Sequence, residues 1–273
     1  MKNCFVLVTH KIDTVSIARW AKDKRDLGSS DISCFLAIDT TRIYGTESEY
    51  CLSTAIENGA ISREDLWEFN EDSVVSRLKP LGYEVKYYEP GGKLFYGNVM
   101  LAYMDFFINH DSSEISHYWF VEHDVAYTGN WLDLVKKYES IEADYVSFSH
   151  LEEDTTADIG WFHYGQWETK TIDPFRESDL VKTFNPIMRL SRRALAFLDS
   201  LYREGNTGFY EIFLGTALDK YGFTLDGFLD HNDTIRGAFT FLSGGRPVDL
   251  SSLSECTDNK LIHPAKRLMP FEL

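Results

Sequence analysis

The chain has 273 residues, a mass of 31.5 kDa and a formal charge of −16, set by 27 Lys and Arg against 43 Asp and Glu. Apolar residues make up 44% and aromatics 15%, a composition that buries a substantial core and excludes a disordered chain. A field of that sign repels phosphate backbones and excludes nucleic acid as the expected partner.

The first apolar run, Cys4 to Val8, is too short for a signal peptide or a membrane span, and no later run approaches membrane length. The expectation is a cytoplasmic protein with no membrane span. Cys4, Cys34, Cys51 and Cys256 show no CxxC spacing, and two of them fall inside strand-like apolar runs. They read as reduced structural residues.

Short apolar runs alternate with segments of helical periodicity through the first half, the pattern of a mostly parallel sheet covered by helices. Strands are expected at Cys4 to Val8, Ser33 to Ile38, Tyr83 to Tyr88, Tyr118 to Val121 and Tyr145 to Phe148. Crossover helices are expected at Thr14 to Lys24, with Ile17, Trp20 and Ala21 on one face, and at Val99 to Asn109, with Val99, Ala102, Tyr103 and Phe106. Thr46 to Leu78 is more polar and reads as helix and loop.

Glu152 to Lys182 is acidic and aromatic without clear period, an irregular excursion from the sheet. A run at Pro186 to Leu190 precedes Ser191, an N-cap for a helix whose Ala194, Leu195, Leu198, Leu201 and Tyr202 share a face. Gly205-Asn206 ends it. A further helix covers Tyr210 to Tyr221, ended by Gly222, and Leu242 to Leu273 reads as loops. No linker divides the chain, so a single domain is expected.

The segment Tyr118-Trp119-Phe120-Val121-Glu122-His123-Asp124 runs four apolar residues directly into two carboxylates separated by one residue. In extended backbone, residues two apart project to the same side, so Glu122 and Asp124 can both face the crevice beyond the strand's carboxyl end. Open α/β sheets bind ligands there. Two hard oxygen ligands suit Mg²⁺ or Mn²⁺, which bridges to phosphate oxygens. The alternative is that the acids cap a helix or solvate a turn.

A strand ending in such a Glu-x-Asp, after three strand and helix units in a chain of this size, resembles the GT-A type of nucleotide-sugar glycosyltransferase. The resemblance is one of layout around one short motif, and here Glu replaces the commoner first Asp. It implies a GT-A-like α/β domain with a nucleotide-binding half at 1–125 and an acceptor-binding, metal-completing half at 126–273. The implied co-substrates are a nucleotide-sugar donor and a hydroxyl acceptor such as a glycan, and the location fits a surface-polysaccharide pathway. Asp124 would hold the cation on the donor diphosphate, with Glu122 contacting the ribose, the donor sugar or the metal.

The same resemblance gives a role to His263 in His263-Pro264-Ala265-Lys266, a late His that returns to the metal, with Lys266 neutralising the leaving phosphate. A loop His is also commonly just a hydrogen-bonded side chain. Glu211, at the start of a helix, matches the position of an acceptor-side base, although the helix dipole favours a Glu there in any case.

The base and ribose in such folds lie over the ends of the first two strands, at Thr9, His10 and Asp39; Asp39 alternatively caps Thr40 and Thr41 in a turn. Lys93, after Gly91-Gly92, lies where it can reach the donor, though the Gly spacing matches neither a Walker A loop nor a dinucleotide fingerprint. Trp161, Phe162, His163, Tyr164 and Trp167, beside Asp154, Asp158 and Glu168, form either an acceptor platform or a structural cluster. The other functions the sequence admits are a metal-dependent nucleotidyltransferase or phosphohydrolase, and a catalytically silent nucleotide- or carbohydrate-binding protein.

Overall fold

A computed structural model describes residues 2–28, 31–41, 43, 45–86, 98–149, 167–239 and 259–265. The fold is a single α/β domain with a mostly parallel sheet flanked by helices, and the chain divides within it into two compact units. The first unit comprises Met1–Glu68, Tyr118–Glu142 and Phe228–Leu273; the second comprises Phe69–His117 and Ala143–Gly227.

In the first unit, strand β1 (Lys2–Thr9) is buried from Asn3 to Thr9 and pairs in parallel with β2 (Ile32–Asp39), Asn3 lying opposite Ile32 and Thr9 opposite Ile38. Parallel neighbours need a crossover, and helix α1 (Thr14–Asp26) supplies it. Asp13 starts α1 by accepting from the Ser16 amide at 2.8 Å while its own amide donates to the Ser16 hydroxyl, a capping box. Helix α2 (Glu47–Glu57) and a short edge strand β3 (Leu66–Phe69) follow.

The polar stretch from Thr46 to Leu78 therefore contains a strand that the sequence reading left out. Trp67 and Phe69 alternate with exposed Glu68, but a period of two over four residues, ended by the Asn70 cap of α3 (Glu71–Leu78), is too brief to stand out. The strand expected from Tyr83 is also absent at residues 83–86. Gly82 turns the chain there with φ of 99°, and Tyr83 is drawn aside, its hydroxyl donating to Asp199 at 2.6 Å and its ring stacked 5.4 Å from Tyr202.

Helix α4 (Met100–His110) is buried from Met100 to Phe107, as an all-round apolar helix demands. Strand β4 (Ile115–Glu122) then leads to a two-residue strand β5 (Ala126–Tyr127) and helix α5 (Trp131–Glu139), neither of which was expected. Asn130 caps α5 through the Leu132 amide at 2.8 Å. In the second unit β6 (Tyr145–Ser149) pairs antiparallel with β8 (Thr183–Ser191), Tyr145 opposite Leu190. Within the expected irregular excursion, Trp167–Glu168 forms a short strand β7 paired with β9 (Thr207–Gly208).

Helix α6 (Arg192–Arg203) buries the five residues expected, and its N-cap is Ser191, whose hydroxyl accepts from the Ala194 amide at 3.1 Å. Helix α7 (Tyr210–Lys220) follows, then β10 (Leu225–Gly227), parallel to β6.

The C-terminal stretch read as loops contributes structure to the first unit. Leu261–His263 forms β12, antiparallel to β5 with Leu261 opposite Tyr127, and parallel to β11 (Thr234–Phe239). Three residues carry no readable period, and their partner lies half the chain away. Among the described residues no helix is long and apolar enough to cross a membrane, and Cys4, Cys34 and Cys51 are unbridged. Tyr87, Tyr88, residues 150–166 with their aromatic cluster, Cys256, Lys93 and Lys266 lie outside the described residues.

Candidate functional site

The buried residues Tyr118 to Val121 fix the end of β4 in the core, and the chain turns immediately beyond them. The Val125 amide donates to the Glu122 carbonyl at 3.0 Å, which puts His123 and Asp124 at the centre of a four-residue turn. The carbonyl of Asp124 accepts in turn from the Ala265 amide at 2.7 Å. This bond and the β5–β12 pairing bring the 259–265 segment against the turn.

The result is a cluster of three of the residues singled out in the sequence. Nε2 of His263 stands 3.5 Å from Oδ1 of Asp124, and Glu122, Asp124 and His263 each offer a ligand atom within 4.8 Å of the others. His263 is buried and the two carboxylates are half-buried. Two carboxylate oxygens and an imidazole nitrogen are a donor set that fits a divalent cation.

The turn is held from beneath by residues the sequence reading did not select. The guanidinium of Arg19, on α1, donates to the carbonyls of His123 and Val125, on either side of Asp124. Its Nε donates to Asp23 Oδ2 at 3.3 Å, and Oδ1 of the same carboxylate accepts from Trp131 Nε1 at 2.9 Å. All three side chains are buried. Burial pushes the Asp23 carboxyl above its ordinary value, and the cations of Arg19 and Lys22 pull it back. A buried guanidinium is tolerated when its donors are matched, as here by two carbonyls and a carboxylate.

A cavity of about 290 Å³ lies beside Asp124, lined also by Lys11, Asp13, Ser16, Arg19 and His123. The Lys11 ammonium is 3.2 Å from Asp13. Burial acts to raise the Asp13 carboxyl, but the Ser16 amide and Lys11 outweigh it and hold the group below its ordinary value. The ring of His10 meets that of His123 edge-on with centroids 4.6 Å apart.

Thr9 and Asp39 are engaged within their own loops. The Thr9 hydroxyl donates to the Lys11 carbonyl at 2.7 Å and accepts from its amide at 3.1 Å. The Asp39 carboxylate accepts through Oδ1 from the amide of Thr41 at 2.9 Å and from its hydroxyl, which caps the turn. Glu211 belongs to the second unit, in the first turn of α7. It is 7% exposed, and its carbonyl accepts from the Thr183 hydroxyl at 2.9 Å.

Arg19 and Asp23 were hard to find because an i, i+4 pair of opposite charge on a helix ordinarily marks a solvated face. Trp131 reads as core, and His123 as a spacer between two acids.

No protein-family model and no curated protein sequence matches the chain. Solved structures that resemble it include mouse xyloside xylosyltransferase 1 in its apo form, with a TM-score of 0.43 and 11% identity over 83% of this chain and 84% of that one. The 4-diphosphocytidyl-2C-methyl-D-erythritol synthase of Anaerococcus prevotii has a TM-score of 0.42 and 6% identity over 83% and 86%. The galactosyltransferase LgtC, in complex with donor and acceptor sugar analogues, has a TM-score of 0.39 and 7% identity over 82% and 72%. Likeness this distant carries no residue roles, and the site is assigned from the chain's own geometry.

Proposed function

We propose that this chain is a GT-A-type glycosyltransferase, dependent on a divalent metal, that moves a sugar from a nucleotide-diphosphate donor to a hydroxyl acceptor such as a glycan. The observation that supports it is the meeting of Glu122, Asp124 and His263 within 4.8 Å, beyond a sheet strand and beside a cavity. Asp124 and His263, with Glu122, would hold Mn²⁺ or Mg²⁺. Such a cation, when bound, offsets the repulsion between an acidic protein and a diphosphate and stabilises the charge on that leaving group.

The chain's own residues supply the rest of the chemistry. Lys11 and Lys266 place positive charge on the phosphates, and Thr9, His10, Asp39 and Lys93 are assigned to the nucleotide. Residues 1–125 would thus serve mainly the donor, and 126–273 would bind the acceptor and complete the metal site with His263. In the inverting case Glu211 would take the proton of the acceptor hydroxyl on its carboxylate as that oxygen bonds to the anomeric carbon, while the bond from that carbon to the diphosphate oxygen breaks and the nucleoside diphosphate leaves with the electron pair.

The test is a melting-temperature screen of UDP, GDP, CMP and their sugars with and without Mn²⁺, since a ligand of the native state raises its stability in proportion to RT ln(1 + [L]/Kd). One nucleotide class should raise the melting temperature only when Mn²⁺ is present. Asp124→Ala should abolish that rise while leaving circular dichroism unchanged, and a rise that survives the substitution refutes the proposal. Metal-dependent binding without donor hydrolysis or transfer across the panel would leave a binding protein in place of an enzyme.

A further inference from the structure

His263 sits midway between two pinned amides of the strand that carries it. Two residues before it, the Leu261 amide donates to the carbonyl of Asp233 at 2.6 Å; two residues after it, the Ala265 amide donates to the carbonyl of Asp124 at 2.7 Å. Antiparallel pairing with β5 adds a further restraint, with Leu261 opposite Tyr127 and Ile262 opposite Ala126. The separation of the imidazole from the Asp124 carboxylate therefore depends on where residue 233 stands as well as on the acidic turn.

Asp233 is 5% exposed and is held at its amide, its carbonyl and both carboxylate oxygens. Its amide donates to the Phe228 carbonyl at 3.0 Å, while Oδ1 accepts from Lys137 Nζ at 2.7 Å and Oδ2 from the Tyr138 hydroxyl at 2.6 Å. Lys137 also donates to the His231 carbonyl at 3.1 Å. A turn closes with backbone bonds alone, so the buried carboxylate has a separate consequence: it ties the segment that receives β12 to helix α5.

The same helix supports the other half of the cluster. Trp131, at the start of α5, donates to Asp23 and so completes the Arg19 anchor beneath the acidic turn. Trp131 and Tyr138 are seven residues apart, two helical turns, and share the buried face of α5. The ring of Tyr138 also meets those of Phe228 and Trp119 edge-on, with centroids 5.1 Å and 5.7 Å away, and Trp119 lies on β4 three residues before Glu122. A helix has a fixed rise per residue, so its two ends set the spacing of the two segments that bear the ligands.

We propose that α5 is a brace between these segments, and that Asp233, held by Lys137 and Tyr138, is a positioning residue that sets His263 at the distance from Glu122 and Asp124 that a cation requires. The proposal rests on the reading of those three side chains as a divalent-cation site. The coupling is reciprocal, so a bound ion strengthens the bonds at Asp233 as those bonds strengthen its binding.

The test titrates the full chain with Mn²⁺ by calorimetry and follows the bound ion by spin-echo EPR, in which the ¹⁴N of an imidazole ligand modulates the echo. Wild type should bind Mn²⁺ with a modulation that His263→Ala removes. Asp233→Ala should weaken binding by about tenfold, the scale of lost support behind a ligand, and diminish that modulation. Tyr138→Phe keeps the ring and removes only the hydroxyl; it should weaken binding by about threefold with native far-ultraviolet dichroism, and it decides the matter if Asp233→Ala does not fold. Both changes act through the imidazole, so neither should cost further affinity when His263 is already Ala. A role in the fold alone would lower the melting temperature and leave affinity and modulation as in wild type. If wild type binds Mn²⁺ and both variants bind it as tightly, or if their losses persist in the His263→Ala background, the proposal is overturned while the cation site stands. If wild type binds no Mn²⁺, the cation site and the proposal fall together.

Discussion

Arg19 and Asp124 are joined through the backbone: the guanidinium of one holds the two carbonyls that flank the other. The anchor is buried, and Asp23 and Trp131 complete it. A lysine at position 19 presents one ammonium, which cannot bridge two carbonyls and a carboxylate in a planar fork. Arg19→Lys should therefore weaken Mn²⁺ binding by about tenfold or more, the scale of lost support behind metal ligands, while the far-ultraviolet dichroism stays native. Calorimetric titration with Mn²⁺ gives the answer, and wild-type affinity in the variant would show that the anchor is not needed to position Asp124.

The imidazole of His263 should matter more to the cation than to the fold. His263→Ala removes one of three ligand atoms but leaves the Ala265 to Asp124 backbone bond in place. We expect Mn²⁺ affinity to fall by about tenfold or more, a loss of at least ~1.4 kcal/mol, with a melting temperature in metal-free buffer close to wild type. A large fall in metal-free stability with unchanged affinity would make His263 a structural residue only.

In the second unit, Asp144 sets a pH dependence of stability. Burial acts to raise its carboxyl, but hydrogen bonds from Arg193, Ser191 and Thr224 prevail and bring it down from 3.8 to about 2. A folded-state value below the unfolded one means that the stabilisation is complete above about pH 4 and drains away as the pH falls towards 2. Asp144→Asn should thus be less stable than wild type at pH 7, and the gap should narrow steadily between pH 4 and 2. Urea unfolding at several pH values measures it; a gap independent of pH would contradict the assignment.

Gly82 combines a positive φ of 99° with a close approach, because a methyl group there would overlap the backbone oxygen of Arg203. Gly222 has φ of 76° and nothing within 4 Å of such a methyl. Gly222→Ala should cost about 1 kcal/mol from backbone strain, and Gly82→Ala about 2 kcal/mol or more, since backbone must also move. Chemical denaturation of the two variants separates strain from overlap, and equal losses would show that the contact relaxes freely.

Several elements with a full period were legible in the sequence, although α5, with Trp131, Leu134, Val135 and Tyr138 buried at helical spacing, was passed over. The buried strand at Cys4 to Val8, the Ser191 cap and the five-residue face of α6 follow from local pattern, because those segments are long enough to express it. β3, β5 and β12 were not legible: two to four residues carry no period, and β5 and β12 exist by virtue of each other across half the chain. Within the site, Glu122, Asp124 and His263 stood out as acids after an apolar strand and a late His. Arg19 and Asp23 did not, because only the folded chain reveals that their charged pair lies beneath the turn instead of in solvent.

The pairing of β5 with β12 also fixes when the cluster can come into being. Translation proceeds from the N-terminus at roughly 5–20 residues per second, so β1, α1 and the acidic turn emerge well before the strand bearing His263. Until that strand docks, Asp124 lacks both the imidazole and the amide of Ala265. A chain in which β12 has not docked thus lacks the full set of ligands, and the capacity to capture an ion arrives with that one pairing.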